Sequence, residues 1–199
     1  MENNQHNNFI NHCRILQLLG RGGDRLKDIF RHRWLIYSKL NSDILKWEND
    51  EKSGSNLLKL CPPETSHEIK EKLKNGFIDL WDITATNIAI QVVSKEIKIL
   101  GGNNNNKEDS NIKSLRKARN EITHNGKFEF SDEEFLEEWD NLADIVVKLG
   151  DNESDIKELK QSLMKIGQIP DIPIPDSNEK SEFVKLKTMA KNVFKVGIF

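Results

Sequence analysis

Ser-Asp-Glu-Glu-Phe-Leu-Glu-Glu-Trp-Asp-Asn-Leu-Ala-Asp-Ile-Val-Val-Lys-Leu-Gly, residues 131–150, decides the fold class. Ser131 with Glu134 three residues on is a capping box, in which each side chain satisfies an orphan backbone N–H at a helix start. Phe135, Trp139, Leu142, Val146 and Leu149 then recur at steps of four, three, four and three, the spacing of one helical face. Gly150 supplies the left-handed stop.

The segment before it, Ser110 to His124, reads as a second helix stopped by Asn125-Gly126, because Ile112, Leu115, Ala118 and Ile122 fall within about 60° of a common direction. Only a few residues join the two, so they are expected to be antiparallel neighbours with Ile122 and Trp139 buried. Further back, Asp79 to Ile99 puts Leu80, Ile83, Asn87, Ile90, Val93 and Ile97 on one stripe. Thr65 and Glu68 form a capping box for a helix ending at Asn75-Gly76, and residues 41–63 read as irregular. A first helix is expected from Phe9 to Leu19, ending at Gly20, and a second after Gly22-Gly23 with Asp24 as cap and Leu26, Ile29, Phe30, Trp34 and Tyr37 in the core. Ile156, Leu159, Leu163 and Ile166 mark a last helix. Alternation with period two is nearly absent, so the expected class is all-α, an up-and-down bundle with extra N-terminal helices.

The expected organisation is a disordered stretch over 1–8, one domain over 9–167, a linker over 168–177 stiffened by Pro170, Pro173 and Pro175, and an amphipathic segment over 178–199. Phe183, Leu186, Met189, Val193 and Phe194 give that segment an apolar stripe, which packs back on the domain, opens a further region or meets protein partners.

Thirty basic and 32 acidic side chains leave a formal charge of −2, so bulk electrostatics single out neither nucleic acid nor membrane as a partner. Residues 1–47 are locally basic, with eight Lys/Arg against four Asp/Glu. Cys13 and Cys61 are the only cysteines and neither stands at metal-ligand spacing, so neither a disulfide framework, a metal site nor a cofactor is expected. A reducing, cytoplasmic location fits that usage. No apolar run approaches the ~18 residues of a membrane span, and the polar start is unlike a secretory leader.

The polar side of the 110–124 helix is where chemistry is expected. With Leu115 at zero, Arg116 lies at about 100°, Asn120 at about 140°, Lys113 at about 160°, His124 at about 180° and Lys117 at about 200°. His124 thus ends a basic stripe facing away from the core. Arg119, at about 40°, sits on the shoulder of the core face and must run its stem along the bundle to bring its guanidinium round. Taken alone, an arginine and a histidine five apart are equally well a snorkelling cation and an exposed polar residue. Gly20, Gly22 and Gly23 lack the lysine and hydroxyl of a phosphate loop, so a nucleotide-binding role ranks third.

Arg119-Asn120-Glu121-Ile122-Thr123-His124, late in an all-helical domain, resembles the RX4–6H motif of HEPN domains (higher eukaryote and prokaryote nucleotide-binding). More narrowly, the chain resembles the HEPN domain of the DAZ-interacting zinc-finger ubiquitin ligase type. The likeness is carried by Arg21-Gly22-Gly23-Asp24 with Ile29-Phe30, by Asp82-Ile83-Thr84 opening a long helix, by Arg119 to His124, and by Ser131 to Phe135 with Trp139 and Leu149-Gly150. The chain departs from close relatives in having one residue fewer between Asn120 and His124, and in its Asn-rich loop before the motif helix.

The resemblance implies a metal-independent endoribonuclease or RNA-binding domain, acting as a homodimer that joins two motif helices. Arg119, Asn120 and His124 would then be catalytic, and Lys113, Arg116 and Lys117 would hold the RNA backbone. The rival expectation is a non-catalytic dimerisation or interaction module of a larger innate-immune or ubiquitin-ligase-type protein. It is favoured by the acidic face of the 131–150 helix, which repels phosphate unless it is turned away.

Overall fold

The computed structural model describes residues 2–103, 106–124 and 129–166, without the side chains of 2–6, 106, 124 and 166. The linker expected over 168–177 and the segment over 178–199 lie outside the described residues, as does the stop expected at Asn125-Gly126. Seven α-helices are described: α1 Glu2–Leu40, α2 Glu51–Leu58, α3 His67–Lys74, α4 Ile83–Ile99, α5 Asn106–His124, α6 Asp132–Lys148 and α7 Glu153–Ile166. A short 3-10 turn, Ile78–Leu80, precedes α4, and there is no strand among the described residues. The class is all-α, a helical bundle.

The N-terminal half departs from the sequence reading. One unbroken helix replaces the two expected around Gly20–Gly23, and it begins at Glu2. The glycines have other uses than stopping a helix. A Cβ on Gly22 would stand 2.8 Å from Leu115 Cδ1 and 3.2 Å from Val146 Cγ2, so its bare backbone lets α5 and α6 approach α1 closely. Helix propensity gave way to packing, since burying the apolar face of α1 far outweighs the ~1 kcal/mol that a mid-helix glycine costs.

Around this rod, α1 packs mainly against α4 and α6 and delivers Ile15, Leu18, Leu19, Leu26, Phe30 and Trp34 to the core. Phe30, Trp34, Trp47 and Trp81 interlock edge to face, with Phe30 and Trp81 centroids 5.0 Å apart and Trp34 and Trp47 4.8 Å apart. The 41–63 stretch read as irregular contains α2, which Asp50 caps by accepting from Ser53 N at 2.7 Å. Gly54 seats that helix on α3, where a Cβ would fall 2.2 Å from the Lys74 carbonyl oxygen. The cap of α3 is Ser66, not Thr65, with its hydroxyl accepting from Ile69 N at 3.4 Å.

The C-terminal half follows the pattern in the sequence. Asp82 caps α4, the capping box of Ser131 and Glu134 is present, and Gly150 closes α6 at φ 98°. Ile122 and Trp139 are buried. Asn111, early in α5, donates to the carbonyl of Lys148 at the end of α6 at 3.3 Å, so the two helices run antiparallel. Leu80, expected on the buried stripe of α4, lies in the 3-10 turn and is 64% exposed.

Candidate functional site: the polar face of α5

The helix α5 is held by its core face and by its first turn. Ile112, Leu115, Ala118 and Ile122 are buried, as the 3.6-residue period requires. Its N-terminal turn is fixed to α1 by Arg33, itself buried, whose guanidinium pairs with Glu108 and with Asp109 at 2.7 Å. On the outer side, Lys113 and Lys117 are exposed and Arg116 and Asn120 half-buried, so the basic stripe follows the helix as its spacing implies. Lys117 meets Glu121 at 3.6 Å, an exposed contact that contributes little to stability. The side chain of His124 lies outside the described residues; the backbone of α5 extends to it, and Thr123 Oγ1 secures the last turn by donating to Arg119 O at 2.8 Å.

Arg119 is only 7% exposed. Its Nη1 donates to Asn120 Oδ1 at 3.0 Å, which brings the guanidinium from the shoulder of the core face toward the stripe. Burial lowers its pKa; the negative charge of Asp82 opposes the shift and Arg116 reinforces it. An arginine so placed keeps its proton all the same.

Two acidic groups emerge that the periodicity did not single out as part of this site. Asp82 is buried, accepts from Ala85 N at 2.6 Å and Lys72 Nζ at 2.8 Å, and acts electrostatically on Arg119. In the sequence it was legible only as a helix opener. Glu138, on α6, is half-buried and has its carboxyl pKa raised, first by burial and then by the charges of Glu121 and Glu137. The acidic face of α6 is therefore not electrostatically separate from the motif helix: the charge of Glu121 acts on one member of it. That coupling could have been anticipated only from the pairing of α5 with α6.

No group of three metal-ligating side chains occurs among the described residues. A surface groove lined by Arg31, His32, Leu35, Lys46, Trp47 and neighbours lies on α1 and the connection after it and includes no motif residue. No described helix is long and apolar enough to cross a membrane.

Residues 53–168, more than half of the chain, match the family described as DZIP3/hRUL138-like HEPN. The match includes α3 to α7 and the whole motif, while α1 lies outside it. No curated protein and no solved structure matches the chain.

Proposed function

The chain belongs to the HEPN family, of the DZIP3/hRUL138-like type, and from that premise we propose that it is a metal-independent endoribonuclease working as a homodimer with a composite Arg/His site. The observation that supports this reading best is the bond from Arg119 Nη1 to Asn120 Oδ1. It carries a planar, permanently charged group toward the stripe on which His124 ends α5. In the proposed reaction a base takes the proton of an RNA 2′-hydroxyl, and the freed oxygen attacks the adjacent phosphorus. The bond to the 5′-oxygen breaks, and an acid returns a proton to that leaving oxygen, giving a 2′,3′-cyclic phosphate. Each chain brings one motif histidine, so acid and base are His124 from two chains. Arg119 stabilises the phosphorane charge, its fork matching two phosphate oxygens, and Asn120 orients it. Lys113, Arg116 and Lys117 hold the strand by its phosphates.

The test is incubation of single-stranded RNA with the full chain in chelator, against His124→Ala. Cleavage with cyclic phosphate ends that disappears in the variant supports the reading, and a magnesium requirement overturns it. Neutralising Lys113, Arg116 and Lys117 together is expected to weaken RNA binding across sequences alike and to flatten its salt dependence.

A second reading, a dimerisation or interaction module without catalysis, is favoured by the depth of Arg119 and by the carboxylates of Glu121, on the motif helix, and Glu138, on α6. Those features suit packing and repel phosphate. RNA binding absent at low salt in the intact protein would decide for this reading.

A further inference from the structure

The first turns of α1 grip the chain at the start of α6. Phe130 N donates to Asn8 O at 3.0 Å. Asn11, 1% exposed, donates from Nδ2 to Phe130 O at 3.2 Å and to Asp132 Oδ1 at 2.8 Å. Its own Oδ1 accepts from Arg14 Nη1 at 2.8 Å, and Arg14 Nε in turn donates to Leu163 O on α7 at 3.2 Å. His12, 4% exposed, stacks its imidazole on the Phe130 ring at 5.7 Å with the planes 12° apart. A buried carboxamide using both ends is a rigid joint, because swinging it away would strand a donor and an acceptor at about 1–3 kcal/mol each.

This joint is level with the end of α5. Gly22 faces Leu115 and Arg33 reaches Glu108, so α1 and α5 run antiparallel. Asn11 precedes Gly22 by eleven residues, about 16 Å at a rise of 1.5 Å, and His124 follows Leu115 by nine, about 13 Å, so the joint and the end of α5 are level to within one helical turn. The residues of α1 that make the grip lie outside those matched to the family.

We propose that Asn11 and His12 are positioning residues for the motif: by fixing Phe130 and the start of α6 they set where α5 ends, and so the place of His124 on its last turn. The inference rests on the cleavage reading for its consequence in activity but not for its structural content. A displacement of a catalytic group by about 1 Å is enough to lower a rate by about 10²-fold, so the grip bears on turnover more than on RNA affinity.

The experiment uses the full chain and the variants Asn11→Ala, Asp132→Ala, His12→Ala and His12→Phe. Asp132 is exposed, so its variant keeps the fold even if loss of the buried Asn11 side chain does not. The primary reading is the His124 imidazole resonance and its pH titration by NMR, against wild type. Asn11→Ala and Asp132→Ala are expected to move both. On RNA, kcat is expected to fall about ten- to a hundredfold in Asn11→Ala and His12→Ala with KM nearly unchanged, and His12→Phe, which keeps the ring stack, to restore it. An unmoved His124 signal in folded Asp132→Ala and Asn11→Ala protein overturns the inference. So does a His12→Phe protein as impaired as His12→Ala, for the part assigned to His12. If wild type fails to cleave RNA while the His124 signal still moves, the cleavage reading falls and the positioning stands.

Discussion

Arg119 and Asn120 are consecutive on a helix, so their Cβ atoms diverge by about 100°, yet their side chains meet at 3.0 Å. The contact requires the arginine to bend back across the backbone from a site only 7% exposed. Arg119→Lys, which keeps the charge but loses the planar fork, is expected to lower RNA cleavage by about 10²–10³-fold. Asn120→Asp is expected to abolish activity as well while raising Tm, because a carboxylate binds the guanidinium more tightly than an amide and neutralises it. Cleavage rates and thermal melts on the same samples check both; undiminished activity in Arg119→Lys protein would remove the arginine from the chemistry.

Mixing wild type with a growing excess of His124→Ala protein is expected to suppress cleavage with the square of the wild-type fraction. Each mixed dimer lacks one of its two proton-transfer groups. A titration of specific activity against composition, at total protein well above the dimer dissociation constant, reads the exponent. A linear dependence would mean that each chain works alone.

Glu138 carries a raised carboxyl pKa from burial and from the charges of Glu121 and Glu137. A carboxyl whose folded pKa exceeds its unfolded one binds more protons when folded, so its ionised form destabilises the protein above the folded pKa. That penalty is relieved as pH falls toward the ordinary carboxylate range. Glu138→Gln is therefore expected to raise Tm near neutral pH by about 1 °C, from a few tenths of a kcal/mol. The gain should vanish near about pH 4. A gain of equal size at both pH values would show that packing, not charge, is responsible.

Gly20 and Gly54 both stand inside helices and are expected to respond oppositely to alanine. Nothing lies within 4 Å of a Cβ on Gly20, so Gly20→Ala should stabilise by about 0.5–1 kcal/mol through helix propensity alone. At Gly54 the added carbon would stand 2.2 Å from a backbone carbonyl oxygen of α3, which moves only if the whole helix does. Gly54→Ala should destabilise by about 1–3 kcal/mol. Urea denaturation of the two variants distinguishes the cases, and a stabilised Gly54→Ala protein would disprove the α2–α3 seat.

The sequence by itself determined the helical class, the phase of α5 and α6, and the cap and stop of α6. In each case the signal is local: a capping box, a period of 3.6 and a left-handed glycine act within a few turns of chain. It also determined which side chains of α5 turn outward, since the wheel depends only on residue spacing. Three things belonged to tertiary structure. The glycines at 20, 22 and 23 read locally as a break, and burial of the apolar face of α1 keeps them in one 39-residue helix, with Leu115 and Val146 packed close on Gly22. Asp82 acts on Arg119 and Glu138 on Glu121 across helices, at separations that no periodicity encodes. Asn11 spans 119 residues of sequence to hold Phe130. Charge and hydrogen bonding operate through space, over a few ångströms, so these relations exist only once burial of the apolar faces has brought distant turns together.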